Sequence, residues 1–187
     1  LATAGTPRAA QGQSLIDSLI SPNEQRNGQF GASVADIGGD VNADGIADVI
    51  VGASNESPGS FPQAGRAYII SGANGSVLQT LVSPNKEVDG QFGASVAGIG
   101  GDVNADGVPD VIVGASREDT DSSDAGRAYI ISGATGNVLQ TLVSPNEEAR
   151  GGFGFSVAGI GGDVNADGTP DVIVGAYGED TDSSNAG

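Results

Sequence analysis

Short runs of β-branched and aliphatic residues recur along the chain, and each run is bounded by Gly, Asn, Asp, Ser or Pro. Runs of this length and composition are typical of β-strands, and we predict no helix. The runs Val111-Ile112-Val113 and Tyr129-Ile130-Ile131 indicate strands that are largely buried. Between residues 83 and 143 the pattern predicts four strands, at Phe92 to Ile99, Asp110 to Ala115, Arg127 to Ser132 and Val138 to Val143.

The same pattern returns at a fixed period. The tripeptide Ser-Pro-Asn begins at Ser21, Ser83 and Ser144, so its copies lie 62 and 61 residues apart. The blocks Phe-Gly and Asp-Val-Ile-Val-Gly-Ala accompany every copy. A period of this size indicates repeated supersecondary units, each too small to bury its own face alone.

Four antiparallel strands per repeat predict an all-β fold of β-propeller blades, with about three blades in this chain. The first strand of each repeat consists of small residues, as in Gly93 to Gly98, which suits the crowded innermost position beside a propeller channel. A β-solenoid is the main alternative, although its coils are usually shorter. We divide the chain into a degenerate second half of a blade (1–20), two full blades (21–82 and 83–143) and the first half of a third blade (144–187).

Propellers typically contain about 4 to 8 blades, which is more than this chain supplies. Two interpretations stay open: the chain is part of a longer propeller, or several copies close a ring together. In the second case the strand predicted at Leu15 to Ile20, which resembles Val138 to Val143, could complete the blade begun by Gly151 to Ala176.

An acidic loop of nine residues, Asp-x-Asn-x-Asp-Gly-x-x-Asp, separates the first and second strands of every repeat. Side-chain oxygens at positions 1, 3 and 5 can converge, Gly at position 6 permits a sharp turn, position 7 offers its carbonyl and position 9 adds a carboxylate. This all-oxygen set fits Ca²⁺ better than Mg²⁺, so we predict about one Ca²⁺ per repeat and three in the chain. The alternative is that these residues only form turns. The predicted metal ligands are Asp40, Asn42, Asp44, Ile46, Asp48, Asp102, Asn104, Asp106, Val108, Asp110, Asp163, Asn165, Asp167, Thr169 and Asp171.

The amino-acid composition excludes several kinds of catalytic site, metal site and binding partner. The chain of 187 residues contains no His and no Cys, which excludes Ser-His-Asp and Cys-His catalytic sets and the usual zinc and copper ligands. Its 24 Asp plus Glu against 7 Lys plus Arg give a net charge of -17, which argues against binding nucleic acid or an anionic membrane. No apolar run is long enough to span a bilayer. We predict that the chain is not an enzyme and holds no cofactor other than Ca²⁺.

The combination of Phe-Gly, the acidic loop and Val-Gly-Ala in one repeat closely resembles the FG-GAP repeats of the integrin α-subunit β-propeller and of bacterial FG-GAP/VCBS-type relatives. The resemblance covers about Ser21 to Gly187. It implies calcium binding by the acidic loops on the lower face of a propeller. Two departures stand out: Ser54, Ser116 and Tyr177 replace the Pro expected after Gly-Ala, and integrin propellers have seven blades.

The loops on the opposite face differ between copies, and the second and third copies are the acidic ones, with Glu118-Asp119-Thr120-Asp121 and Glu179-Asp180-Thr181-Asp182. In relatives this face holds partner-binding surfaces, so the resemblance implies an unknown protein or glycan partner there. The alternative is that these loops vary because nothing constrains them. Pairs such as Glu118 with Asp121 could in principle perform carboxylate acid-base catalysis on a glycan, and a solvated acidic loop is the simpler interpretation.

Together these observations predict a calcium-binding extracellular or cell-surface module that serves as a structural scaffold or as an adhesion domain. One alternative is an accessory propeller domain of a secreted hydrolase or lyase whose catalytic residues lie elsewhere. Another is a self-assembling subunit, a homo-oligomer that completes the propeller as a ring or extends into a fibre between chains.

Overall fold

The computed structural model describes residues 18–180, and all regular secondary structure in that range is β. Strands β1 to β4 and β5 to β8 each form a four-stranded antiparallel sheet in chain order, and β9 pairs with β10. The predicted fold class, all-β blades of four antiparallel strands, is confirmed. The strands are β1 (Phe30–Asp36), β2 (Val49–Ala53), β3 (Arg66–Ile70), β4 (Val77–Leu81), β5 (Ser95–Gly98), β6 (Val111–Ala115), β7 (Arg127–Ile131), β8 (Val138–Leu142), β9 (Phe153–Gly159) and β10 (Val172–Ala176).

Two strand predictions need correction. The strand predicted at Leu15 to Ile20 lies mostly outside the described residues, and its described part, residues 18–20, is not a strand. The first strand of the second repeat begins at Ser95 instead of Phe92. The Phe92 amide donates to the Ala64 carbonyl of the preceding blade, at 2.9 Å.

Neighbouring blades are joined by backbone hydrogen bonds. Gln91 and Phe92 donate their amides to the carbonyls of Gln63 and Ala64, at 3.1 and 2.9 Å. The next joint repeats the arrangement, with Arg150, Gly152 and Phe153 donating to Ser123, Asp124 and Ala125. In both joints the donor belongs to the later blade and the acceptor to the earlier one.

Side chains alternate along the strands between the two faces of each sheet, and both faces of the second blade are covered. Its face toward the first blade presents Val111, Val113 and Tyr129 to Ile50 and Ile69. The opposite face presents Ile112, Ile130 and other apolar residues to the third blade. The buried β-branched runs predicted from the sequence are therefore explained by the stacking of sheets.

The first strands of successive blades, β1, β5 and β9, contact one another along the inner side of the stack. Gly98 of β5 packs so closely that an added Cβ would lie 2.5 Å from the carbonyl oxygens of Asp36 and Ile37. Gly159 of β9 packs against Gly98 in the same way. This explains the small residues of the first strand. In the first blade the corresponding residue is Asp36, which is exposed.

The outer faces of the described stack leave equivalent residues exposed. Val96 of the second blade is 6% exposed, whereas its counterpart Val34 in the first blade is 65% exposed. Ile112 is fully buried, whereas its counterpart Ile173 in the third blade is 60% exposed. Burial at these positions is therefore supplied by the adjoining blade. In residues 18–180 no helix is long and apolar enough to cross a membrane.

Candidate cation-binding loops and the opposite face

The three acidic loops connect the first and second strands of each blade, between β1 and β2, β5 and β6, and β9 and β10. Each loop contains two residues with positive φ, Ala at position 4 and Gly at position 6, and in the first loop these are Ala43 and Gly45 with φ of 59° and 89°. The two left-handed residues turn the chain back on itself, so position 9 returns to the start of the loop.

The carboxylates at positions 1 and 5 accept hydrogen bonds from the backbone of their own loop. In the first loop Gly45 donates to Asp40 Oδ2 at 2.5 Å, Asp44 donates to Asn42 Oδ1 at 3.0 Å, and Ile46 donates to Asp44 Oδ1 at 2.9 Å. The other two loops repeat this arrangement, with Gly107 donating to Asp102 and Gly168 to Asp163. The structure thus brings the side chains at positions 1, 3 and 5 together against the backbone amides of their own loop.

Position 9 has a different environment, because Asp48 and Asp110 are fully buried. Asp110 accepts the amide of Val103 at 2.7 Å and the amide of Gly133 at 3.1 Å. Gly133 follows β7, so this carboxylate ties the acidic loop to the next hairpin at the same end of the blade. Sequence reasoning assigned Asp110 to the metal only and missed this role.

The backbone contacts and burial move the pKa values of the loop carboxyls in opposite directions. Hydrogen bonds led by the Gly45 amide lower the pKa of Asp40, and bonds led by the Gly168 amide lower the pKa of Asp163. Burial raises the pKa of Asp110, and the nearby Asp102 and Asp106 carboxylates raise it further. The loops therefore combine carboxylates held ionised at the surface with one buried carboxylate that is repelled by them.

Among residues 18–180 no three acidic side chains converge on one point as a preformed metal site. The carboxylates of each loop instead face the amides of the loop itself. The side chains at position 7, Ile46, Val108 and Thr169, range from half-buried to exposed, and Ile46 is 50% exposed. The chemistry of the donors is nevertheless oxygen throughout, as Ca²⁺ requires.

At the opposite end of the blades a buried glutamate occupies the loop between the second and third strands. Glu56 is fully buried in the first blade and accepts hydrogen bonds from Ser21, at 2.5 Å, and from Asn23, at 3.2 Å. The Tyr68 hydroxyl also donates to it, and Arg66 Nε lies 3.4 Å from its carboxylate. The Ser-Pro-Asn motif therefore serves to hold this carboxylate, a function that the sequence did not reveal.

The second blade contains the same cluster with a different set of bonds. Glu118 accepts a hydrogen bond from Tyr129, but its Oε1 has no partner. Asn85, the counterpart of Asn23, donates to Glu87 at 2.6 Å instead. Glu87 replaces a Gln at this position of the first repeat, so a single difference in the sequence redirects the bond.

Burial raises the pKa of Glu118 to about 7, and the charge of Glu87 raises it as well, while the Ser83 and Tyr129 hydroxyls oppose the shift. Glu118 is fully buried, whereas Asp121 is exposed. The two residues do not share a solvent-accessible surface on which they could perform acid-base catalysis. The glycan-hydrolysing pair considered from the sequence is therefore wrong.

A family model described as FG-GAP repeat matches residues 30–70 and 92–131. These two segments are FG-GAP repeats. They run from β1 to β3 and from β5 to β7, and they include the first two acidic loops. The resemblance drawn from Phe-Gly, the acidic loop and Val-Gly-Ala is confirmed.

Curated relatives that contain similar sequence are integrin alpha subunits. The chain is 34% identical over 180 residues to integrin alpha-IIb of Mus musculus, across 88% of this chain and 17% of that protein. It is 31% identical over 197 residues to integrin alpha-8 of Mus musculus and 33% identical over 197 residues to integrin alpha-2 of Bos taurus. Those two alignments each cover 94% of this chain, and 18% and 16% of the respective relatives. The FG-GAP chain thus spans less than a fifth of the length of these relatives.

Proposed function

We propose that each acidic loop binds one Ca²⁺ and that the ion stabilises the blade. The observation that carries this proposal is the lack of a cationic partner for the loop carboxylates. In the described part of the chain the ion pairs join Arg66 to Glu56 and Arg127 to Glu118, and none reaches an acidic loop. The three carboxylates of each loop are therefore compensated only by neutral donors, mainly backbone amides, and a divalent cation would supply the positive charge that the loop lacks.

The oxygens at positions 1, 3, 5 and 9 and the carbonyl at position 7 would hold the ion. Calcium would supply positive charge and fix the turn, with no role in a reaction. An ion that binds only the folded chain raises the free energy of unfolding by about 4 kcal/mol when its concentration is roughly a thousand times its Kd.

Thermal unfolding with Ca²⁺ and with a chelator tests the proposal. We expect a higher Tm with Ca²⁺, and we expect Asp106→Asn to reduce that difference. Asp121→Asn makes the same change of charge at an exposed position outside the loops and serves as the control. Equal Tm values with Ca²⁺ and with chelator in the wild type would refute calcium binding.

We further propose that the FG-GAP chain is a non-enzymatic scaffold or adhesion module at the cell surface or outside the cell. Its sequence relatives are integrin alpha subunits, and the loops opposite the acidic loops differ between otherwise near-identical repeats. Variation concentrated on one face is what a partner-binding surface on a rigid scaffold would show. Capture of a protein or glycan that is lost when these loops are exchanged between repeats, with unchanged Tm, would support this function.

A ring closed by several copies is opposed by Asp36. In the second and third blades the corresponding glycines pack directly against the backbone of the preceding blade. Asp36 would place a charged side chain in that contact, which would weaken the docking of a blade of another copy on the first blade. We expect a monomeric molar mass by light scattering, with and without Ca²⁺, and a stable closed oligomer would contradict this expectation.

A further inference from the structure

A shallow groove lies between the second and third blades, on the face opposite the acidic loops. It encloses about 260 Å³ and is lined by Ser116, Arg117, Asp124, Arg150 and Tyr177. This volume is below the range of about 300–1,000 Å³ that is typical of pockets for whole small molecules. The groove is therefore of a size to receive a single side chain.

Two guanidinium groups in this groove lack partners within the described residues. The ion pairs in residues 18–180 use Arg66 and Arg127, and neither Arg117 nor Arg150 donates a side-chain hydrogen bond there. Asp124 also lines the groove but forms no ion pair with either arginine. One acid against two bases leaves local positive charge on a chain whose net charge is -17.

The aromatic ring that completes the groove is held in place. Tyr177 packs against Phe155 edge to face, with the ring centroids 4.7 Å apart. It also lies over Gly152, where an added Cβ would come within 2.6 Å of the ring. Tyr177 is nevertheless 61% exposed. A rigid exposed aromatic residue beside unpaired arginines is typical of the residues that dominate binding at protein interfaces.

The repeats provide an internal comparison, because the first and second blades form the same kind of junction. The flanking Ser-Pro-Asn, Val-Gly-Ala and Ala-Gly-Arg segments are identical there. Three of the residues that line the groove differ between the two junctions. The first junction has two neutral residues and one acid where the second has two bases and one aromatic residue. Aligned in the repeats, Asn55, Asp89 and Ser116 correspond to Arg117, Arg150 and Tyr177.

We propose that this groove binds the carboxylate of an Asp or Glu side chain presented by a protein partner. A guanidinium offers parallel N–H donors that match the two oxygens of a carboxylate, and two guanidinium groups can share one ligand. The proposal rests on the partner-binding function proposed above and names the chemistry of the partner.

Titration of the ¹⁵N-labelled chain with N-acetyl-glutamate N-methylamide tests the proposal. We expect saturable shifts of the Arg117 and Arg150 Nε–Hε signals, and no saturation with the uncharged N-acetyl-glutamine N-methylamide. Arg117→Asn with Arg150→Asp installs the residues of the first junction, which the fold already accommodates, and should weaken binding by about tenfold or more. Asn55→Arg with Asp89→Arg should create binding at the first junction.

Absence of saturable shifts in the wild type would overturn the proposal, as would retained binding in the double variant. Glucuronate that binds as tightly as N-acetyl-glutamate N-methylamide, or more tightly, would indicate an acidic sugar as the ligand and overturn the proposal of a protein partner. Inorganic phosphate that binds more tightly than N-acetyl-glutamate N-methylamide would show that the groove does not select carboxylates. Capture of a protein or glycan by the wild type and by the loop-exchanged chain is measured on the same samples. Retained capture without carboxylate binding overturns the groove proposal alone, whereas loss of both overturns the partner-binding function as well.

Discussion

Replacing Glu118 by Gln should stabilise the protein at neutral and alkaline pH and have little effect at pH 5. Glu118 is fully buried, and its Oε1 accepts no hydrogen bond. An ionised carboxylate in this position loses its hydration without full compensation. A Gln side chain keeps an acceptor for the Tyr129 hydroxyl and removes the buried charge.

The magnitude follows from the pKa. Burial raises the pKa of Glu118 from 4.5 to about 7. One pKa unit corresponds to about 1.4 kcal/mol, so ionising Glu118 in the folded state costs about 3 kcal/mol. Because the folded state holds the proton more tightly, its free energy of unfolding falls as the pH rises from about 4.5 to 7, and the loss is complete above pH 7. The Glu118→Gln variant lacks this dependence of the free energy of unfolding on pH.

Urea unfolding between pH 5 and pH 8 measures the difference. The variant should gain up to about 3 kcal/mol over the wild type at pH 8, and the two curves should converge near pH 5. Glu56→Gln is the matched control, because both carboxylate oxygens of Glu56 accept hydrogen bonds from Ser21, Asn23 and Tyr68. It should destabilise the chain by about 1–3 kcal/mol at pH 8, since an amide leaves one donor unmatched. A Glu118→Gln variant that is less stable than wild type at pH 8 would refute the reasoning.

Two further substitutions test the environment of Glu118 and the joint between blades. Glu87→Gln removes the charge that raises the pKa of Glu118, so that pKa, measured by ¹³C NMR titration, should fall, and an unchanged value would contradict the role of Glu87. Gly126→Ala should cost more than the roughly 1–2 kcal/mol of left-handed strain, because φ is 89° and the new methyl group would meet the Phe153 backbone. Gly59→Ala, with φ of 66° and open space around it, should show the strain alone in the same urea unfolding experiment.

The sequence predicted the repeat period, the strand positions and the family. Val-Ile-Val and Tyr-Ile-Ile runs between turn residues rarely form anything other than β-strands. The acidic loops could be predicted as well, because all the residues of one loop lie within nine consecutive positions. The burial of Glu118 could not be predicted, because nothing in Glu118-Asp119-Thr120-Asp121 distinguishes the buried Glu118 from the exposed Asp119 and Asp121. Ser83, whose hydroxyl lies beside Tyr129 in the same cluster, is 35 residues earlier in the sequence, beyond the reach of local patterns.

The bond between the Phe92 amide and the preceding blade could not be predicted either, because it depends on how two blades stack. The hydrogen bond that Asp110 accepts from the Gly133 amide could not be predicted either, because it depends on how two hairpins pack against each other. Contacts between segments that are distant in the sequence, and not the character of single residues, decide these cases.

The direction of the hydrogen bonds between blades has a consequence for how the chain folds during synthesis. At each joint the carbonyl acceptors belong to the blade that leaves the ribosome first, and the amide donors belong to the one that follows. A finished blade therefore displays a row of free acceptors with the spacing that the next segment needs. Each blade can act as a template for its successor, so vectorial growth would favour in-register addition over pairing between distant repeats of nearly identical sequence.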